Sequence, residues 1–350
     1  MAEELGKKVI PIKLDNRGFT VGIRVILTGT KPIDGRRTFP ENDLAELVKR
    51  IAPTTPRDAP VFLLLNMKGG VGKTTLAANL AGTFHSLNKS VLLIDLDAQA
   101  NLSNLLMNER EYVEAVTFDR SVISCFENSL VGTAPESSAS HFFEIASDGP
   151  TPEPTRLAFN LRNPLAAPRF DLVVGQFELF KYSLSINYPH LAECGARFVE
   201  FLNKAKRQYD VVILDAAPSN SFITECAILG ATDIVAPTTP DKYALRGIQA
   251  ISRLMEEGLR LTTPPPIHVV LNNVPAEIGT AEQTIVDAYP EERIAARVRD
   301  SRYFKVRNAD PNVRVRDPLA ELAYMSRGRE VREVLLEICQ ELLRRNEITR

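Results

Sequence analysis

The sequence predicts an α/β fold in which a mostly parallel sheet is flanked by helices, with a small N-terminal β-hairpin and helix as an extension. Three observations lead there. From residue 61 onward, short runs of apolar residues alternate with amphipathic segments, as a parallel sheet covered on both faces requires. A glycine-rich turn, "NMKGGVGKTT" (66–75), joins the first of these runs to a helical segment. The proline-rich stretch "PTTPRDAP" (53–60) breaks any continuous element and sets this region apart from what precedes it.

Taken in order, residues 8–27 alternate loosely around "DNRG", which suggests a hairpin. "ENDLAELVKRIA" (41–52) then carries Leu44, Leu47, Val48 and Ile51 at helical spacing. Residues 1–58 are therefore expected to form a ββα-like extension and 59–350 the main domain. Strands are expected at 61–66, 90–97, 170–175, 210–218, 233–239 and 267–274. Between the first two, "TTLAANLAGTFHSL" (74–87) places Leu76, Leu80, Thr83, Phe84 and Leu87 on one helical face. Residues 107–169, rich in Pro, Ser and Ala, read as a longer irregular insertion.

Composition narrows the class. With 44% hydrophobic and 25% charged residues in a chain of 350, a sizeable packed core is expected rather than disorder. A formal net charge of −2 argues against a wholesale polyanion binder, so local clusters carry more information than the total. Cys125, Cys194, Cys226 and Cys339 are far apart and form no C-x-x-C pair, which disfavours a zinc site or a disulfide framework. The N-terminus lacks an apolar leader core, and no uninterrupted apolar run approaches the roughly 18–20 residues of a membrane span. A cytoplasmic location is expected. His85, His141, His190 and His268 are scattered without the spacing of a triad or metal centre.

The turn carries the chemistry. Successive backbone N–H groups through Gly69, Gly70, Val71, Gly72, Lys73, Thr74 and Thr75, opening a helix, make a nest for phosphate oxygens. Lys73 is placed to reach the β/γ-phosphates of a nucleotide, and the Thr74 hydroxyl to ligate Mg²⁺. Met67 stands where the common loop has its first glycine, and Lys68 follows it.

"KGGVGKTT" resembles the deviant Walker A loop of the ParA/MinD family of ATPases, closest to its ParA-type partition proteins, which implies a P-loop NTPase-like fold. In that family the lysine before the two glycines reaches across a dimer interface to the phosphates held by the other subunit. Lys68 matches it, and a cation supplied that way would stabilise charge developing on the β–γ bridge. The loop is then expected to project Lys68 outward.

"LLIDLDAQAN" (92–101) carries Asp95 and Asp97 two apart, which on a strand sends both carboxylates to one side, at the sheet end where ligands collect. The stretch resembles the family's Walker A′ motif, which implies that Asp97 orients the attacking water and Asp95 supports Mg²⁺ or the loop. Ala98 replaces the family's usual proline and loosens that turn. "YDVVILDAAPS" (209–219) resembles Walker B and assigns Asp215 to Mg²⁺. "IVAPTTPDKYALRGI" (234–248) resembles the segment around adenine and ribose, which implicates Pro237, Thr239 and Asp241, and "VVLNNV" (269–274) offers Asn272 to the base. The catalytic set implied is Lys68, Lys73 and Asp97.

The resemblance implies a homodimer in the ATP state, a ParB-like or other activating partner, and DNA held without sequence preference, hence a nucleoid association. Residues 297–316 contain seven basic against two acidic residues, so Arg297, Arg299, Arg302, Lys305, Arg307, Arg314 and Arg316 are candidate contacts to phosphate backbone. A MinD-like membrane role rests on the C-terminal stripe Val331, Val334, Leu335, Ile338, Cys339, Leu342 and Leu343. Glu330, Glu333, Glu337, Glu341 and Glu347 on the polar side disfavour anionic lipid, so packing on the domain is expected. A third role is a switch that only reports nucleotide state to a protein partner.

Overall fold

A computed structural model of the protein describes residues 58–128, 149–162, 167–182, 191–275, 277, 279–299 and 329–347, and the backbone of 10–11, 24–25, 183–184 and 348–349. The chain divides into two compact units, Met1–Arg57 and Asp58–Arg350. In the first, β1 (Ile10–Pro11) pairs antiparallel with β2 (Arg24–Val25). The helix expected over 41–52 lies outside the described residues.

The second unit is built on an eight-stranded sheet. Its strands are β3 (Val61–Leu64), β4 (Val91–Leu96), β5 (Phe159–Asn160), β6 (Phe170–Val173), β7 (Val211–Ala216), β8 (Asp233–Thr238), β9 (Ile267–Val274) and β10 (Arg293–Arg299). They lie in the order β10-β9-β8-β3-β7-β4-β6-β5. All neighbours are parallel except the edge pair β5 and β6. The six expected strands are present. β5 and β10 are additional, and they are the two edges.

Side-chain alternation divides the apolar residues into two cores, one on each face. Leu63, Leu92, Ile94, Val212 and Leu214 face α7 (Leu191–Gln208) and α8 (Phe222–Gly230). Phe62, Leu64, Leu93 and Ile213 face α1 (Lys73–Ser86) and α11 (Arg329–Thr349). The expected face of α1 is in this second core, where Phe84 stacks on Phe62 with ring centroids 5.8 Å apart.

The stripe on α11 is spent in the same core. Leu335, Ile338, Cys339 and Leu342 are fully buried there, the leucine and isoleucine side chains each contributing about 1.5–3 kcal/mol. Among the described residues, no helix is long and apolar enough to cross a membrane. All four cysteines are buried and unpaired as disulfides.

The described part of 107–169 contains α3 (Glu109–Thr117), α4 (Ile123–Phe126) and α5 (Pro154–Leu157), after α2 (Asn101–Leu106). An asparagine begins α3 with a reciprocal capping box: Asn108 Oδ1 accepts from the Glu111 N–H, and Glu111 accepts from the Asn108 N–H. Three further helices are present among the described residues, besides a 3₁₀ turn at Phe177–Leu179. They are α6 (Phe180–Leu184), α9 (Ala244–Arg253), which runs into a π turn (Leu254–Gly258), and α10 (Thr280–Ala288).

Candidate nucleotide site

The site forms where three strands end side by side. Asp215 on β7 is in register with Leu64 on β3 and with Asp95 on β4. β3 leads into the glycine-rich loop, so the loop and both buried aspartates share one edge of the sheet, the edge where open α/β folds bind ligands.

Two glycines make the loop's path possible. Gly70 and Gly72 have φ of 74° and 87°, which side-chain-bearing residues rarely adopt. At Gly72 a Cβ would also lie 2.3 Å from Asn272 Nδ2, which donates to the Val71 carbonyl at 2.7 Å. Gly69 and Gly70 face open space, with no atom within 4 Å of a Cβ placed on them. Helix α1 begins at Lys73 without a side-chain cap, so its first-turn N–H groups and dipole serve the loop. Met67 is partly buried against the core, so this residue anchors the loop instead of tightening it.

The two lysines have different surroundings. Lys73 is buried, and its Nζ lies 3.3 Å from the Asn66 carbonyl and 3.4 Å from that of Lys68. Burial lowers its pKa, while the charges of Asp215 and Asp97 act in the opposite sense. Lys68 does not project outward as expected. Its Nζ pairs with the Asp241 carboxylate and reaches Thr239 Oγ1 at 3.3 Å. The hydrogen bond from Lys68 in turn holds the Asp241 carboxyl below its ordinary value.

The aspartates divide by environment. Asp215 is 1% exposed, and neither carboxylate oxygen has a hydrogen-bond partner among the described residues. Burial raises it to about 8, Asp95 adds to the rise, and the Thr74 hydroxyl and Lys73 oppose it. Asp95 is also buried, but its oxygens are occupied. Oδ1 accepts from the Asp97 N–H at 3.1 Å, and Oδ2 from the Ser103 N–H at 2.9 Å and hydroxyl at 2.7 Å. Burial lifts Asp95 to about 6 against those hydrogen bonds.

The expectation that Asp97 shares the strand with Asp95 is corrected, although its charge still acts on Asp95, Asp215 and Lys73. β4 ends at Leu96, so Asp97 sits in the turn beyond it, partly exposed, and the period of two no longer applies. Asp97 Oδ1 accepts from the Gln99 N–H at 2.9 Å, and its carbonyl from the Ala100 N–H at 2.8 Å. These bonds shape the turn that Ala98 leaves without a proline.

The remaining expected residues flank the loop. Pro237 is in β8, and its carbonyl accepts from Asn66 Nδ2 at 2.9 Å. Thr239 and Asp241 meet Lys68, and Asn272 meets Val71. Sequence reasoning passed over Asn66, which also accepts from the Lys68 N–H at 2.9 Å, and Ser103 with Gly175, where a Cβ would stand 2.7 Å from Asp95. Only contact information identifies these three.

The basic stretch is corrected at its start. Arg297 and Arg299 belong to β10, and Arg297 grips buried Glu282 of α10 with Nε at 2.6 Å and Nη2 at 2.7 Å. That guanidinium ties a helix to the sheet and is not available to phosphate. Arg299 is more exposed and lies 3.1 Å from Glu330. Arg302, Lys305, Arg307, Arg314 and Arg316 lie outside the described residues.

The donor set suits a hard divalent cation. Two buried carboxylate oxygens without partners on Asp215, beside the Thr74 hydroxyl, are the ligands Mg²⁺ prefers. Asp95 is committed to the turn and loop. Among the described residues there is no cluster of three or more His, Cys, Asp or Glu that could hold a metal without other ligands.

A family model described as an AAA domain matches residues 60–262. The chain is 32% identical over 197 residues to the chromosome-partitioning ATPase Soj of Thermus thermophilus, covering 55% of this chain and 60% of that protein. It is 25% identical over 214 residues to the sporulation initiation inhibitor protein Soj of Bacillus subtilis, covering 58% and 72%. In fold it is similar to pNOB8 ParA bound to nonspecific DNA, with a TM-score of 0.57 at 19% identity over 83% of this chain and 100% of that one. The loop, the aspartates in register beside it and a family match over more than half of the chain lead to one assignment: the protein belongs to the ParA/MinD-type P-loop ATPases.

Proposed function

We propose that the protein is a Mg²⁺-dependent ATPase that closes into a dimer around ATP and acts as a switch in DNA partition or cargo positioning. In this reading the ATP dimer holds DNA without sequence preference, and a ParB-like partner stimulates hydrolysis. The observation that carries the reading is the second lysine. Lys73 is already buried inside the loop, so Lys68 at its rim is a surplus cation with no task at its own phosphate site.

The residues divide the work. Backbone N–H groups of 69–75 and the start of α1 bind the phosphates, and Lys73 exchanges its carbonyl contacts for phosphate oxygens. Thr74 and Asp215 would hold Mg²⁺, which would neutralise phosphate charge. Asp97, at the mouth of the site, orients the attacking water. Lys68 stabilises the partner's transition-state charge as an arginine finger does. Little covalent chemistry is asked of the protein, so positioning and electrostatics supply the rate.

Two names among the relatives and neighbours support the biological role, one a chromosome-partitioning ATPase and one a ParA bound to nonspecific DNA. The membrane alternative is disfavoured because the stripe on α11 is spent in the core. Sedimentation with Mg²⁺ and a non-hydrolysable ATP analogue, in parallel with retention on random-sequence DNA, tests the reading. Analogue-dependent dimers that bind DNA support it. Monomers at saturating analogue remove the dimer, and dimers that ignore DNA leave a protein-directed switch.

A further inference from the structure

The ion pair between Lys68 and Asp241 places the lysine on its own chain. The carboxylate that receives it is already organised: Asp241 Oδ1 accepts from the Tyr243 N–H at 2.8 Å, and Oδ2 from Thr239 Oγ1 at 3.0 Å. One side chain also ties the loop that carries Lys68 to the strand that precedes Asp241. Asn66 accepts from the Lys68 N–H at 2.9 Å and donates to the Pro237 carbonyl at 2.9 Å, so the loop and the end of β8 are fixed relative to each other. Gly247 packs over this bridge, since a Cβ there would stand 2.2 Å from Asn66 Oδ1.

The pair itself can open. The side chains of Lys68 and Asp241 are 33% and 36% exposed, so water and salt compete with it. A rigid base carrying a weak, exposed ion pair is the arrangement a reversible catch needs.

We propose that Asp241, assisted by Thr239, is a catch in cis for the signature lysine: each protomer must release Lys68 from it before lending that lysine to a partner's triphosphate. The inference rests on the dimer reading above. Dimerisation then carries an opposing term from each subunit. An exposed pair of this kind shifts an equilibrium about two- to fivefold, and since both catches open, the dimer constant shifts by about the square, four- to twenty-five-fold. The catch lowers the population of dimers at limiting ATP without touching the phosphate site. It makes Asp241 a positioning residue for Lys68.

Asp241→Asn isolates the effect, because the amide keeps an oxygen for the Tyr243 N–H and loses the charge. The measurement is the dimer dissociation constant by sedimentation equilibrium with Mg²⁺ and AMPPNP, at low salt and at 0.5 M NaCl, a concentration chosen because it screens exposed pairs to within about 4 Å. The expected result is a dimer tightened about four- to twenty-five-fold at low salt, the gap narrowing at high salt. Thr239→Val, which leaves the carboxylate in place, should move the constant the same way by a smaller factor. A wild-type protein that dimerises and an Asp241→Asn protein that dimerises no better, or worse, overturn the catch while leaving the dimer reading intact. Monomers for both proteins overturn the dimer reading, and the catch with it.

Discussion

At the scale of single residues, charge and burial assign the roles. Lys73→Ala should abolish nucleotide binding, read by titration of a fluorescent ATP analogue; retained affinity would show that the phosphates bind elsewhere. Asp97→Ala should slow turnover and let ATP dimers accumulate, checked by phosphate release alongside sedimentation. Asp215 predicts a pH dependence. Burial raises its carboxyl to about 8 in the folded chain, against an ordinary 3.8. The folded protein thus keeps a proton that the unfolded chain has lost, and the resulting stability is full below about pH 4 and gone as pH passes 8. Asp95, raised to about 6, acts with the same sign over the lower part of that range. Without ligand, Asp215→Asn should therefore be the more stable protein at pH 8.5, by roughly 1–3 kcal/mol in urea, and lose most of that lead at pH 4.5. Equal midpoints at both pH values would contradict a buried carboxyl without a partner. The types of these residues were legible in the sequence. Their partners were not, because Gly175 and Asn66 act through contacts between distant parts of the chain, and Ser103, only eight residues from Asp95, reaches it through the turn that follows β4.

At the scale of elements, patterns follow from how many faces are covered. The six strands buried on both faces read as apolar runs, and each was visible for that reason. β10 alternates buried and exposed positions, with arginines at 293, 297 and 299 on its outward side, so it reads as a basic stretch. An edge strand needs apolar residues on one face only. Helix α11 shows the reverse: its stripe predicts burial but not the surface that receives it, here α1 and the sheet. Ile338→Ala should cost about 2–5 kcal/mol in urea denaturation, since a fully buried side chain leaves a cavity. A change below about 0.5 kcal/mol, the size of an ordinary surface substitution, would mean the helix is not docked there.

At the scale of the whole molecule, the proposed DNA contact is an electrostatic matter. Retention of the ATP dimer on random DNA should fall with salt, the slope of log K against log salt dropping by about 0.9 for each phosphate contact removed. Arg299→Ala, counted twice in a dimer, should flatten that slope by up to about 2. Arg297→Ala should instead lower stability, because it strands buried Glu282, and leave the slope unchanged. A flatter slope for Arg297→Ala would reverse this division.

By itself the sequence determined the family, the loop, the helix that follows it and the acidic strand ends, because each is written in local spacing and in residues that only such a turn requires. The tertiary structure alone decided that β7 lies between β3 and β4, which brings Asp215 level with Asp95, and that Lys68 rests on Asp241. Strand order and ion pairing join residues more than a hundred positions apart. No local pattern encodes such distances, and only the packed sheet sets them.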